Sequence, residues 1–137
     1  MKHLFYTLFT VALFATQEVN AQHSDNYIEV IDFHSNHRCF TCNTIEEKTK
    51  QTLEENFKSE MDKGLIVFST INVDEAKNAE KAEAFEAFGT ALFIHIVKDG
   101  KSEKINLTDF AFMTAKDKKN KFEDGLTEKI NAALEKL

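Results

Sequence analysis

The only two cysteines of the chain, Cys39 and Cys42, stand three residues apart within His34-Ser35-Asn36-His37-Arg38-Cys39-Phe40-Thr41-Cys42. Two thiols at that spacing, at the start of a helical pattern, are suited to making and breaking a disulfide. Cys39 is placed to be the attacking thiol, because unpaired backbone N–H groups and the dipole at a helix N-terminus favour a thiolate. Arg38 and His37 add positive charge beside it, while Glu46 and Glu47, two turns into the helix, oppose it weakly. Cys42 lies one turn later, close to an apolar stripe, and is expected to be the more buried thiol. It would resolve a mixed disulfide by attacking Cys39. The intervening Phe40-Thr41 does not set the direction of electron flow, which depends on how well each thiolate is stabilised. A static disulfide is the competing reading, but a ring this small constrains little of the unfolded chain.

Three other polar side chains bear on this chemistry. Asp32, just before the segment on an apolar strand, could accept or deliver the proton of Cys42; a solvated strand end is its plainer reading. His34, His37, Cys39 and Cys42 together are two imidazoles and two thiols within nine residues, a set that zinc or copper accepts and whose thiols would also take trivalent arsenic. Against a metal carrier or sensor, one short loop would have to fold all four ligands about one centre. Otherwise His34 is a loop residue near the site and His37 a modulator of thiol ionisation. His95 is expected to be a hydrogen-bonded core residue.

The elements that must hold these groups alternate in type. Tyr27–Phe33 is β-branched and aromatic and apolar on both faces near its end, as in a buried central strand. From Phe40 the period becomes helical, with Ile45, Thr49, Leu53, Phe57 and Met61 on one stripe up to Gly64. A strand over 65–73 follows, ended by Asp74, which would cap a helix over 75–88 closed by Gly89. Ala91–Val97 and Ser102–Leu107 read as strands joined by an Asp99-Gly100 hairpin turn. Residues 109–116 read as irregular, with Phe110, Phe112 and Met113 folding back onto the core. Phe122, Leu126, Ile130, Ala133 and Leu137 mark a last helix, bent at Gly125. A strand–helix–strand crossover demands parallel pairing and the short turn antiparallel pairing, so the sheet is mixed.

This order, with the cysteine pair at the first strand-to-helix junction, resembles the thioredoxin fold from about residue 27 to the C-terminus. The resemblance implies an α/β domain with a mixed four-stranded sheet flanked by helices. More narrowly, Arg38-Cys39-Phe40-Thr41-Cys42-Asn43-Thr44-Ile45-Glu46-Glu47 and Asn72-Val73-Asp74-Glu75 are similar to a group of exported bacterial thioredoxin-like proteins named the ArsF family, called a nitrophenyl-compound nitroreductase subunit. A chain this short without a cofactor is not expected to reduce nitro groups alone. Related thioredoxins use an acid near the position of Asp32, though here the loop to the first cysteine is one residue longer. Thioredoxins also set a cis-proline beside the disulfide. This chain has no proline, and Thr90-Ala91-Leu92 occupies the matching region. A trans peptide is expected there, since a non-proline cis bond costs roughly 3 kcal/mol. By the same resemblance Phe40, Thr41, Ala91 and Leu92 would meet the substrate.

With 137 residues, 42% hydrophobic and 29% charged, one domain is expected, and thirteen phenylalanines supply its core. The net charge of −6 and the lack of a basic cluster argue against nucleic acid. Residues 1–21 carry a short positive start, an apolar run from Leu4 to Ala15 and Val19-Asn20-Ala21, the pattern of a cleaved signal peptide. The domain would then be 22–137, exported to the periplasm or secreted; an uncleaved amphipathic anchor is the alternative. The expectation is therefore a monomeric thiol–disulfide oxidoreductase without a cofactor. It would act on protein or small-molecule disulfides, recharged by a membrane redox partner. A catalytically idle binding module is the other alternative.

Overall fold

The computed structural model describes residues 25–137; the signal peptide read from residues 1–21 lies outside them. The central strand is β1 (Tyr27–His34), hydrogen-bonded on both sides. β2 (Ile66–Asn72) pairs with it in parallel and β3 (Ala91–Lys98) antiparallel. β4 (Lys101–Asn106) lies antiparallel outside β3, giving the order β2-β1-β3-β4. The mixed sheet expected from the connections is therefore present. Asp99 and Gly100 both take positive φ, 51° and 74°, the primed turn whose twist matches its flanking strands.

Two helical layers cover the sheet. On one face, α1 (Phe40–Asn56), α4 (Thr108–Thr114) and α5 (Lys121–Leu134) pack Ile45, Leu53, Ala111, Phe122, Leu126 and Ile130 onto Ile28, Val30, Leu92 and Ile94. On the other, the short α3 (Ala79–Ala84) and the turn after it press Ala82 and Phe85 against Ile31, Phe33 and Phe93. The rings of Phe33, Phe85 and Phe93 meet pairwise at 5.2–5.8 Å between centroids.

Three expected elements come out differently. The helix from Phe40 to Gly64 is broken at Phe57, whose φ of −131° leaves the helical range, and α2 (Lys58–Asp62) is a separate piece. A side chain repeated every four residues drifts by about 40° per repeat around a 3.6-residue helix, so a straight helix would carry the stripe off the sheet. The break lets Phe57 stay buried. The helix over 75–88 shrinks to a single 3-10 turn (Ala76–Asn78) and α3. Lys104 Nζ donates to the Ala84 carbonyl at 2.6 Å, and Glu86 turns the chain at φ 53°, so Phe85 enters the aromatic cluster. Finally, 108–114 is helical. The Thr108 N–H is taken by Asn106 Oδ1 at 2.9 Å, and Ala111 faces the core. That rotation leaves Phe112 and Met113 exposed, and only Phe110 packs inward, stacked on Phe122.

α5 runs without interruption through Gly125. A Cβ there would lie 2.6 Å from the ring of Phe110, so the glycine marks a close approach of α4. Gly125→Ala should cost about 1–3 kcal/mol, read as a lowered urea midpoint, because the ring is held against Phe122. Gly125→Ala combined with Phe110→Ala should recover part of that loss.

Candidate functional site

Cys39 is the N-cap of α1 and Cys42 sits in its first turn. The two are joined as a disulfide, with Cα atoms 5.0 Å apart. The Cys42 N–H also points to Cys39 Sγ at 3.1 Å, so a helix-end donor faces the sulfur that would become the thiolate. Cys39 faces solvent, while Cys42 keeps only 7% of its surface. Phe40 beside them is 79% exposed, and Thr41 is buried.

The loop from β1 to Cys39 is held by the end of β2. The Asn36 N–H donates to Asp74 Oδ2 at 2.7 Å, and Asn72 Nδ2 donates to Asn36 Oδ1 at 2.7 Å. The Val73 N–H reaches the His34 carbonyl at 2.8 Å. Asp74 thus anchors the cysteine loop and caps no helix. This role was not legible from turn chemistry, although Asn72-Val73-Asp74-Glu75 was one of the two motifs behind the resemblance. The ring of His34 is turned to its own loop, with Nδ1 donating to the Ser35 carbonyl at 3.1 Å, and His37 is exposed. No group of three or more His, Cys, Asp or Glu side chains among the described residues is arranged to hold a metal ion.

Asp32 is not a solvated strand end, for it has no exposed surface. Alternate residues of a strand share a face, so Asp32 points with Ile28 and Val30 to the layer that contains α1. Arg38 NH2 donates to Asp32 Oδ2 at 3.0 Å, and Arg38 NH1 donates to Glu46. Glu46 lies four residues after Cys42 on the same helix face, so this bridge brings Asp32 and Cys42 to one side of α1. Burial pushes the Asp32 carboxyl up from 3.8 to about 7. Arg38 pulls it down, and Glu46 raises it again. Asp32 Oδ1 is buried with no hydrogen-bond partner. The cation expected next to Cys39 is therefore spent on two carboxylates, one of them this buried acid.

Ala91 and Leu92 stand opposite Phe33 and Asp32 across the β1–β3 ladder. Leu92 has no exposed surface and belongs to the core, whereas Ala91 lines an open cleft of about 450 Å³ with Phe88, Gly89, Thr90 and Thr108. Every described peptide bond is trans, including the one before Ala91.

A second buried polar group lies on the α3 face, remote in register from the cysteines. Glu29 accepts from Ser69 Oγ and Lys81 Nζ, each at 2.7 Å, and His95 Nδ1 is 3.6 Å away. Burial alone would raise Glu29, but the Lys81 and Ser69 donors outweigh it and hold it below the ordinary range. Burial lowers His95, with Glu29 opposing. Neither ring nitrogen of His95 has a hydrogen-bond partner, so the bonded state expected of it is absent and the ring only stands near Glu29. The cluster ties α3 to the sheet.

A parallel β1–β2 crossover, an antiparallel β3–β4 hairpin and a cysteine pair at the first strand-to-helix junction define the architecture. The fold is thioredoxin-like. Among solved structures, it is similar to a thioredoxin from Thermus thermophilus, at 20% identity over 58% of each chain with a TM-score of 0.39. It is also similar to chloroplastic thioredoxin z, at 17% identity over 64% of this chain and 77% of that one, TM-score 0.41. A structure described as a malarial protein matches at 15% identity over 64% of this chain and 94% of that one, TM-score 0.41. No family model and no curated relative matches the sequence.

Proposed function

We propose that this chain is a thiol–disulfide oxidoreductase that works outside the cytoplasm, with Cys39 as nucleophile and Cys42 as resolving thiol. The observation that carries the reading is the asymmetry of the pair. Cys39 is exposed at the N-cap of α1, and Cys42 is buried on the helix face joined to the Asp32 carboxyl. An incoming substrate can reach only Cys39, beside the exposed ring of Phe40.

In the reducing direction, the Cys39 thiolate attacks one sulfur of a substrate disulfide and expels the other as a thiolate. Cys42 then gives its proton to the Asp32 carboxylate and attacks Cys39 Sγ. The second substrate thiol leaves, two electrons have passed to the substrate, and the Cys39–Cys42 bond is closed. Run backwards, the same steps oxidise a dithiol. Each cycle needs a redox partner to restore the starting state, and an exported protein would meet it at the membrane. The two sequence motifs alone support kinship with the ArsF group, and only its thiol chemistry is carried over.

The test is insulin disulfide reduction by the purified domain and by Cys39→Ser, with bound metal measured on the same samples. The expected result is turnover by the wild type, none by the variant, and no stoichiometric metal. An inactive wild type holding one zinc or copper per chain would overturn the reading in favour of a metal carrier. An inactive, metal-free one would favour a binding module.

A further inference from the structure

Arg38 was expected to serve the Cys39 thiolate, yet its guanidinium is turned inward. It spans Asp32 on β1 and Glu46 on α1, with only 22% of its side chain exposed. The strand neighbours of Asp32 in register, Thr70 and Leu92, carry no charge. The charges that act on Asp32 are those of Arg38 and Glu46. Its Oδ1 remains buried and unpaired, so one carboxylate oxygen is held by Arg38 and the other is free to take a proton.

We propose that Arg38 is a positioning residue that fixes the Asp32 carboxylate for proton exchange with Cys42, and that Glu46 tunes it by competing for the same guanidinium. This rests on the redox reading above. A cation bonded to one carboxylate oxygen favours the ionised acid, while a second carboxylate sharing that cation weakens the effect. The two substitutions must therefore act in opposite senses. A bridge that merely pinned the loop to α1 would give changes of one sense only.

The oxidised protein is the form in which this can be read. A dithiothreitol thiolate attacks Cys39 Sγ, the Cys39–Cys42 bond breaks, and Cys42 leaves as a thiolate that takes the proton of neutral Asp32. The second dithiothreitol thiol displaces Cys39, and two electrons have moved from dithiothreitol to the protein. The rate is measured by trapping free thiols and divided by the concentration of dithiothreitol thiolate. For the wild type this quotient should fall as pH rises through the ionisation of Asp32, and Asp32→Asn should abolish the inflection. Arg38→Met should move the inflection up by about one pH unit and Glu46→Gln should move it down, with Arg38→Lys restoring most of the wild-type position.

If Arg38→Met does not fold, Arg38→Lys and Glu46→Gln carry the test, since Glu46 is partly exposed. An inflection present in the wild type but unmoved in the variants, or moved in the same sense by both, overturns the role of Arg38. A wild-type profile without an inflection, unchanged in Asp32→Asn, overturns instead the proton-acceptor role given to Asp32. Failure in the insulin assay would fall on the redox reading itself.

Discussion

Cys42→Ser will trap substrate on the protein. With the buried thiol gone, Cys39 can still attack a disulfide, but nothing resolves the mixed disulfide that results. The variant should accumulate as covalent adducts that disappear on reduction, while insulin turnover falls to background. Cys39→Ser should lose turnover as completely and form no adduct, because the remaining thiol is buried in the first turn of α1. Mass spectrometry of both variants after exposure to a disulfide peptide checks this. Equal adduct formation would sink the assignment of roles. Neither change should unfold the domain. A ring closed over so few residues sits at the low end of loop-entropy stabilisation, and the core does not depend on it.

Asp32→Asn should stabilise the fold at neutral and alkaline pH. The acid ionises near 3.8 in the unfolded chain and at about 7 in the folded one. Between those values the native state holds a proton that the unfolded state has released, so wild-type stability falls as pH rises through this window. Above it the full penalty is present, on the order of 4 kcal/mol, net of the pairing with Arg38 that already pulls the carboxyl down. The variant should match the wild type near pH 4 and exceed it by roughly 4 kcal/mol at pH 8 in urea titrations. A difference that does not vary with pH would contradict the buried-acid description. A group that weakens the fold at working pH, held in place by Arg38, is the kind of cost found at functional sites.

The insulin and dithiothreitol experiments address different links of the same chain. The first asks whether the thiols exchange, the second how the proton of Cys42 is handled. Asp32→Asn connects them, for it should slow resolution while strengthening the fold.

Local pattern sufficed for much of the frame. The apolar run of β1, the four-residue stripe from Ile45 and the Asp99-Gly100 turn encode strand, helix and hairpin through short-range sterics and burial. With the crossover rule they lead to a mixed sheet. The cysteine pair was legible for the same reason, since its chemistry depends on spacing and on the helix start next to it. Where the reading failed, a distant side chain decided. Phe85 leaves a helical pattern because Phe33 and Phe93 await it, and Lys104 takes the carbonyl that the helix gives up. Asp74 gave up its expected cap to hold Asn36, a partner thirty-eight residues earlier in the chain.

By itself the sequence determined which atoms could do the chemistry: two thiols, one of them at a helix end, and an acid on the strand before them. Tertiary structure alone decided how those atoms are poised. Burial raises Asp32, and the fold turns Arg38 from the thiolate it adjoins in sequence to the carboxylates of Asp32 and Glu46. Desolvation and ion pairing depend on what surrounds a group in space, and six residues of separation along the chain say nothing about that.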